Sequence, residues 1–240
     1  MKKSLLTFLL MFCGVATFAQ VSVRVGAEAG ATMTMLRYKN SASESNASPA
    51  SRITTPGVRA GLLADIALTK RFYLQPGVFY AWTNSRTEPD AFYDKDVKYQ
   101  AFNKYSIHNL QIPLYAMYKS SVEGTGRFII GAGPYLGYAF SGRLKERSYT
   151  FQPMGSQFVV EPIQQSRSLK IGDDKATDEF RPLDYGATAT IGYESNVGLY
   201  FRAHGTYGLA NLMPGGDSDH AIRNWGVGLS IGYLFGRDTW

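Results

Sequence analysis

Eight segments of this chain alternate apolar with polar or small residues at a strict period of two, and no other feature restricts its fold so severely. Residues 21–35 show the pattern most plainly. Val21, Val23, Val25, Ala27, Ala29, Ala31, Met33 and Met35 share one face, while Ser22, Arg24, Gly26, Glu28, Gly30, Thr32 and Thr34 share the other. A strand sorts residues this way because successive side chains point to opposite sides, whereas a helix would scatter both sets around its circumference. The same rule holds over 57–69, 72–83, 107–119, 127–141, 184–194, 197–209 and 223–235.

The connections alternate in length. Short turns are expected around Lys70, at Glu123-Gly124-Thr125-Gly126 and at Ser195-Asn196, and long polar stretches near 36–56, 84–106, 142–183 and 210–222. An even strand count with short turns at one end and long loops at the other is the pattern of a closed eight-stranded antiparallel up-and-down transmembrane β-barrel, with the long loops extracellular. A soluble ligand-carrying barrel would have the same strand count with the faces inverted: charged outside, apolar inside. Here the polar face is mostly Gly, Ser, Thr and Ala, which suits a narrow lumen and makes a poor water-exposed surface.

Aromatic placement agrees. Tyr80, Trp82, Tyr138, Phe140, Tyr185, Tyr207 and Trp225 fall at the long-loop ends of the apolar faces, and Phe72, Tyr118, Phe128, Tyr193, Tyr233 and Phe235 at the turn ends. Two aromatic belts around an aliphatic band match the two interfaces of a bilayer. Pro76, Pro113 and Pro134 lie inside strands of a sheet with no free edge, so local bulges are expected there.

Residues 1–19 read as a cleaved signal peptide: Lys2 and Lys3 precede an apolar stretch from Leu5 to Val15, and Thr17-Phe18-Ala19 offers a cleavage site before Gln20. The barrel then occupies 20–240. The only cysteine, Cys13, lies in the leader behind bulky Phe12, which argues against a lipidated first residue. The mature chain thus has no disulfide and no thiolate metal site. Net charge is +6 and its lysines and arginines are dispersed, so no nucleic-acid surface is expected.

Several stretches resemble the PorT-like outer-membrane β-barrel family, a small outer membrane protein β-barrel domain. They are Gly57-Val58-Arg59-Ala60-Gly61-Leu62 running into Phe72-Tyr73-Leu74-Gln75-Pro76-Gly77-Val78-Phe79-Tyr80, then Leu110-Gln111-Ile112-Pro113-Leu114, Gly131-Ala132-Gly133-Pro134-Tyr135, Asp184-Tyr185-Gly186 and the closing Gly232-Tyr233-Leu234-Phe235. The resemblance covers about residues 21 to 236. It implies the architecture, and an accessory role in protein secretion only by analogy of fold. Barrels commonly end on an aromatic residue read by the outer-membrane assembly machinery. Phe235 ends the alternation and is the expected signal, with Trp240 the alternative.

Parity turns a set of charges inward: Arg24 and Glu28, Arg59 and Asp65, then Lys119, Arg127, Glu194 and Arg202, with His204 beside Arg202. An eight-stranded barrel is just wide enough for side chains to fill it, and unpaired buried charge is costly, so these groups are expected to pair as a plug. A narrow ion or proton path along the same groups is the functional alternative. Asp217-Ser218-Asp219-His220 gathers acids, a hydroxyl and an imidazole, but contiguous polar residues in a glycine-rich loop are more simply solvated than catalytic. Asp173, Asp174, Asp178 and Glu179 form an acidic patch without the spacing of a calcium loop. Tyr149, Phe151, Phe158, Val159 and Val160 alternate loosely, so the strands flanking 142–183 are expected to continue beyond the bilayer as a hairpin offering an edge for partners. The expectation is therefore a monomeric barrel with a structural or surface-interaction role, no catalysis, no cofactor and no metal. Its partners would be outer-membrane lipid, the assembly machinery and surface or secretion proteins. The alternatives are a small-solute or ion channel with a gated lumen, and an accessory component of secretion.

Overall fold

The structure, a computed structural model, describes residues 22–40, 52–87, 92–94, 97–122, 124–154 and 157–236. The expected signal peptide, Val21, Trp240 and the middle of the first long connection lie outside the described residues. Among the described residues ten strands run in order: β1 (Val23–Asn40), β2 (Arg52–Ala67), β3 (Phe72–Thr87), β4 (Phe92–Asp94), β5 (Val97–Lys119), β6 (Gly126–Met154), β7 (Gln157–Ser168), β8 (Leu183–Ser195), β9 (Leu199–Gly208) and β10 (His220–Phe235). Eight of them close an antiparallel ring, β1-β2-β3-β5-β6-β8-β9-β10, sealed by the β5–β6 ladder and by β10 returning to β1. β4 and β7 are additions: β4 pairs with the start of β5, and β7 folds back on the far end of β6.

The two faces of the ring decide its solvent. Leu229 and Phe128 are each 70 % exposed, and Leu62, Val78, Ile112, Leu136 and Ile191 are exposed with them, while Lys119 is 0 % and Asp65 1 % exposed. Apolar surface outside and charge inside is the reverse of a water-soluble barrel. Closure leaves no strand edge within the ring, so the ladder satisfies the backbone where hydrocarbon cannot. The aromatic residues Tyr80, Trp82, Tyr138, Phe140, Tyr185, Tyr207 and Trp225 are exposed at one rim, and Phe72, Tyr118, Phe128, Tyr233 and Phe235 at the other.

One expectation is corrected. No bulge forms at Pro76, Pro113 or Pro134, where the register is the same on both sides. Each proline instead leaves a two-pair gap in the ladder to the preceding strand. The gaps lie between Leu63 and Ile66 opposite Pro76, between Pro76 and Phe79 opposite Pro113, and between Pro113 and Ala116 opposite Pro134. A strand residue's N–H faces one neighbour only, so losing it costs one ladder bond without displacing the strand. The register shifts fall instead at Thr55/Val58, beside Pro56, and at His108/Asn109. The expected extension beyond the bilayer is present: β3, β5 and β6 run well into the stretches near 84–106 and 142–183, and the hairpin forms between β6 and β7, with Phe151 opposite Val160.

The tight ends are built locally. Thr69 Oγ1 accepts hydrogen bonds from the backbone N–H of Arg71 and of Phe72 in the β2–β3 turn. The β8–β9 turn needs Gly198, whose φ of 89° is a left-handed conformation, and Gly198 N–H donates to Ser195 O at 3.0 Å.

Candidate functional site: the barrel interior

Every inward charge expected from parity is buried: Arg24, Glu28, Arg59, Asp65, Lys119, Arg127, Glu194, Arg202 and His204. They form two clusters stacked along the barrel axis. At the turn end, Arg24 Nη2 lies 2.6 Å from Asp65 Oδ2 and 2.8 Å from Glu194 Oε1, and Lys119 Nζ lies 2.6 Å from Asp65 Oδ2 and 2.8 Å from Glu194 Oε2. Arg127 Nη2 adds a third cation to Glu194 at 2.9 Å. Arg24 with Asp65, and Arg127 with Glu194, are direct cross-strand neighbours, whereas the other contacts cross the lumen. The second cluster centres on Glu28, which meets Arg59 Nη2 at 3.2 Å, pairs with Arg202, and accepts a hydrogen bond from the Tyr200 hydroxyl at 2.9 Å.

Gln75 ties the clusters together, donating from Nε2 to Asp65 Oδ1 at 3.1 Å and accepting on Oε1 from Arg202 Nη1 at 2.7 Å. Aromatic rings back the cations: Lys119 Nζ lies 4.3 Å from the centroid of Tyr73, Arg59 4.0 Å from Phe79, and Arg202 5.2 Å from Tyr115. Gly232 makes the room for this, because a Cβ there would fall 2.3 Å from the Tyr200 ring. Gln75, Tyr73, Tyr115 and Tyr200 were missed in the sequence because only charges were followed. Their parity was the signal, since each stands on the same face as its inward neighbours. His204 stands apart from the carboxylates, with Nδ1 3.3 Å from Ser230 Oγ.

The long-loop end is closed differently. Leu36, Ile107, Ala139, Leu144, Leu169, Phe180, Ala210, Leu212 and Ile222 form a buried apolar cluster across the mouth. Leu169 and Phe180 belong to the third long connection, read from sequence as surface loop. The segment instead folds inward, held where Ala139 N–H donates to Pro182 O at 2.7 Å and Arg181 N–H to Leu212 O at 2.9 Å. Beneath this lid the cavity lined by Thr34, Gln111, Asp184 and Asn224 measures about 30 Å³. That is room for a few waters.

The loop acids are spent locally. Both Glu179 oxygens accept from Arg167 at 2.6 Å, and this guanidinium holds the carboxyl below the usual glutamate range. Asp178 Oδ2 accepts from Asp174 N–H at 2.9 Å. Asp217 Oδ1 accepts from the backbone N–H of Asp219 and of His220 and lies 3.1 Å from His220 Nδ1, so the Asp217–His220 stretch is a self-bonded turn.

Fold and interior together define an outer-membrane β-barrel of eight strands, apolar toward lipid and filled by its own side chains. The chain belongs to the family described as outer membrane protein beta-barrel domain, whose model matches residues 18–213. No curated protein matches it. Among solved structures, it is similar to OprG from Pseudomonas aeruginosa at 12 % identity, covering 89 % of this chain and 95 % of that one, with a TM-score of 0.45. It is also similar to Ail of Yersinia pestis, solved in complex with the heparin analogue sucrose octasulfate, at 12 % identity over 89 % and 99 % with a TM-score of 0.34. A third is Neisserial surface protein A, at 12 % over 90 % and 100 % with a TM-score of 0.35.

Proposed function

We propose that this protein is a closed, non-catalytic barrel with a structural and surface-interaction role, its long connections outside the cell and its lumen shut at two levels. The carrying observation is the buried lumen itself: ion pairs spanning β1, β2, β5, β6, β8 and β9, beneath an apolar lid of Leu36, Leu169, Phe180 and Leu212. A route for solutes would have to break several buried ion pairs, and each carries a high cost once one partner is removed. Recognition then falls to the outer surface, where β6 and β7 continue beyond the aromatic rim as a hairpin.

One observation favours a second reading, a gated path for small anions. Arg24, Arg59, Lys119, Arg127 and Arg202 outnumber Glu28, Asp65 and Glu194, leaving the two clusters positively charged. Placement nearer the PorT-like relatives rests on the stretches from Gly57 to Tyr80 and from Leu110 to Leu114, and would bring an accessory role in secretion with it.

A swelling assay on liposomes carrying the refolded mature protein tests the reading. Glycine and small sugars should enter no faster than into empty liposomes. Entry graded by solute size would replace the closed barrel by a pore.

A further inference from the structure

Between the buried ion pairs and the apolar lid lies a polar layer whose hydrogen bonds do not balance. Asn109 on β5, Asp184 on β8 and Asn224 on β10 stand at inward positions, in step with buried Tyr115, Thr188 and Ser230 on the same strands. With Asn84 of β3 they line the cavity of about 30 Å³ beneath the lid. Gly208 on β9 lets Asn224 reach across to Asp184, since a Cβ there would fall 3.1 Å from Asp184 Oδ1 and 3.0 Å from Asn224 O. Gly137, directly opposite Asp184 on β6, leaves the other flank bare.

What each amide nitrogen does fixes which way its oxygen turns. Asn224 Nδ2 donates to Asp184 Oδ2 at 3.0 Å, and Asn84 Nδ2 donates to Pro56 O at 3.0 Å. Thr83 Oγ1 donates its proton to Ile107 O at 3.3 Å, so it can only accept from Asn109 Nδ2 at 3.4 Å. The Tyr135 hydroxyl donates to Asp184 Oδ2 at 2.9 Å, on the oxygen that Asn224 already meets. Among the described residues lining this cavity, the buried polar atoms without a hydrogen-bond partner are Asn84 Oδ1, Asn109 Oδ1, Asp184 Oδ1 and Asn224 Oδ1. All four are acceptors.

Asp184 also lacks a counter-charge. The interior cations pair with Asp65, Glu194 and Glu28, and among the described residues no ion pair reaches Asp184. Arg181, close to it in the chain, turns instead to Asp173 at 3.7 Å and to Asn211 O at 3.4 Å.

We propose that this layer holds one small monovalent cation of the sodium class, coordinated by Asp184 Oδ1, Asn109 Oδ1 and Asn224 Oδ1. Carboxylate and amide oxygens are the ligands that hard cations take. Water donating to these oxygens would leave the buried carboxylate charge uncompensated, and a proton on Asp184 Oδ1 would serve only one of the amide oxygens. Charge selects the valence. One carboxylate balances one positive charge, and the cluster beneath already sets Arg59 and Arg202 against Glu28 alone. A divalent ion would add its second charge to that surplus at close range. The cavity has room for roughly one ion with one or two waters. Seated between the two seals, the ion stabilises the fold that encloses it.

The test compares the mature protein refolded into uncharged micelles in sodium chloride and in choline chloride at equal ionic strength, choline being too large for the cavity. Urea titration gives the unfolding equilibrium constant of the wild type, Asp184→Asn and Asn109→Ala, with folding checked by the gel shift on heating. A ligand held by the folded form alone stabilises it, so replacing choline by sodium should lower the wild-type constant on the order of tenfold. Asp184→Asn keeps the shape, removes the charge and supplies an amide nitrogen that donates to the neighbouring oxygens in the ion's place. It should give one value in both salts, no less stable than the wild type in choline. Asn109→Ala, one ligand short, should shrink the sodium effect to about twofold. Equal wild-type values in the two salts, a sodium effect that survives in Asp184→Asn, or a full effect in Asn109→Ala would each overturn the site. Micromolar calcium acting in place of sodium would overturn the assigned valence.

Discussion

Asp65 is the residue on which the interior depends most heavily, because one carboxylate takes Arg24 and Lys119 on Oδ2 and Gln75 on Oδ1. Removing it leaves two buried cations short of a partner, and breaking a buried pair in this way costs about 3–5 kcal/mol. Asp65→Ala should therefore lower the unfolding free energy of the refolded barrel in micelles, read by urea titration, by that amount. Leu229→Ala, at a lipid-facing position, should cost less; equal losses would mean the charges contribute nothing specific. At the lid, Glu179 provides a pH dependence of known sign. Its carboxyl is held below the ordinary value of about 4.3 by the Arg167 hydrogen bonds, so the folded form binds its proton less readily than the unfolded one. The stabilisation is complete above that ordinary value and is lost as pH falls through the lower folded one. Amide exchange at Phe180, measured between pH 6 and pH 3 and corrected for intrinsic rate, should stay protected until the acid end of that range. Glu179→Gln should show no such step, and an identical step in the variant would assign it to another group.

At the scale of the strand, alternation was enough to read all eight ring members, because bilayer and lumen select opposite chemistry at successive positions. Residues 23–35 of the first alternating segment became part of β1 and 223–235 part of β10. The ends were less legible. Beyond the rim the bilayer no longer selects the outer face, the alternation fades, and the ladder continues on hydrogen bonds the sequence pattern does not report, as Lys98 to Ile107 opposite Gly142 to Phe151 illustrates. The prolines misled for a related reason: an absent N–H can be absorbed as a ladder gap as readily as by a bulge. Close packing gives a sharper prediction. Gly232→Ala drives a methyl group into the Tyr200 ring, and overpacking of this kind costs roughly 1–3 kcal/mol. It should be rescued in part by Tyr200→Ala, and additive losses in the double variant would show that the two positions do not compete for space. The last strand carries a further expectation. Phe235 closes the β10 register opposite Val25, exposed to lipid, before Gly236 turns the chain at a φ of 93°. As the assembly signal, Phe235→Ser should cut the amount of folded protein recovered from outer membranes, while Trp240→Ser should leave it unchanged; the opposite result would move the signal to the terminus.

For the whole molecule, the sequence revealed which charges turn inward but not how they are connected. Parity names Arg24, Asp65 and Glu194, yet the contacts from Arg24 and Lys119 to Glu194 depend on ring closure between strands far apart in the chain. The lid was illegible for a different reason. Leu169, Phe180 and Leu212 stand in stretches without period, and only the closed ring supplies the mouth that buries them. These two seals make one claim about the molecule, that no continuous aqueous path runs through it. Single-channel recording in a planar bilayer tests it most directly, using the mature wild-type protein beside Arg202→Ala, which removes a cation pairing with Glu28 and Gln75. The closed barrel predicts no discrete current steps from the wild type, and none from the variant while the Phe180–Leu212 lid stays seated. Regular steps in the wild type, altered in size or ion preference by the substitution, would contradict the account and make the buried charges a permeation path.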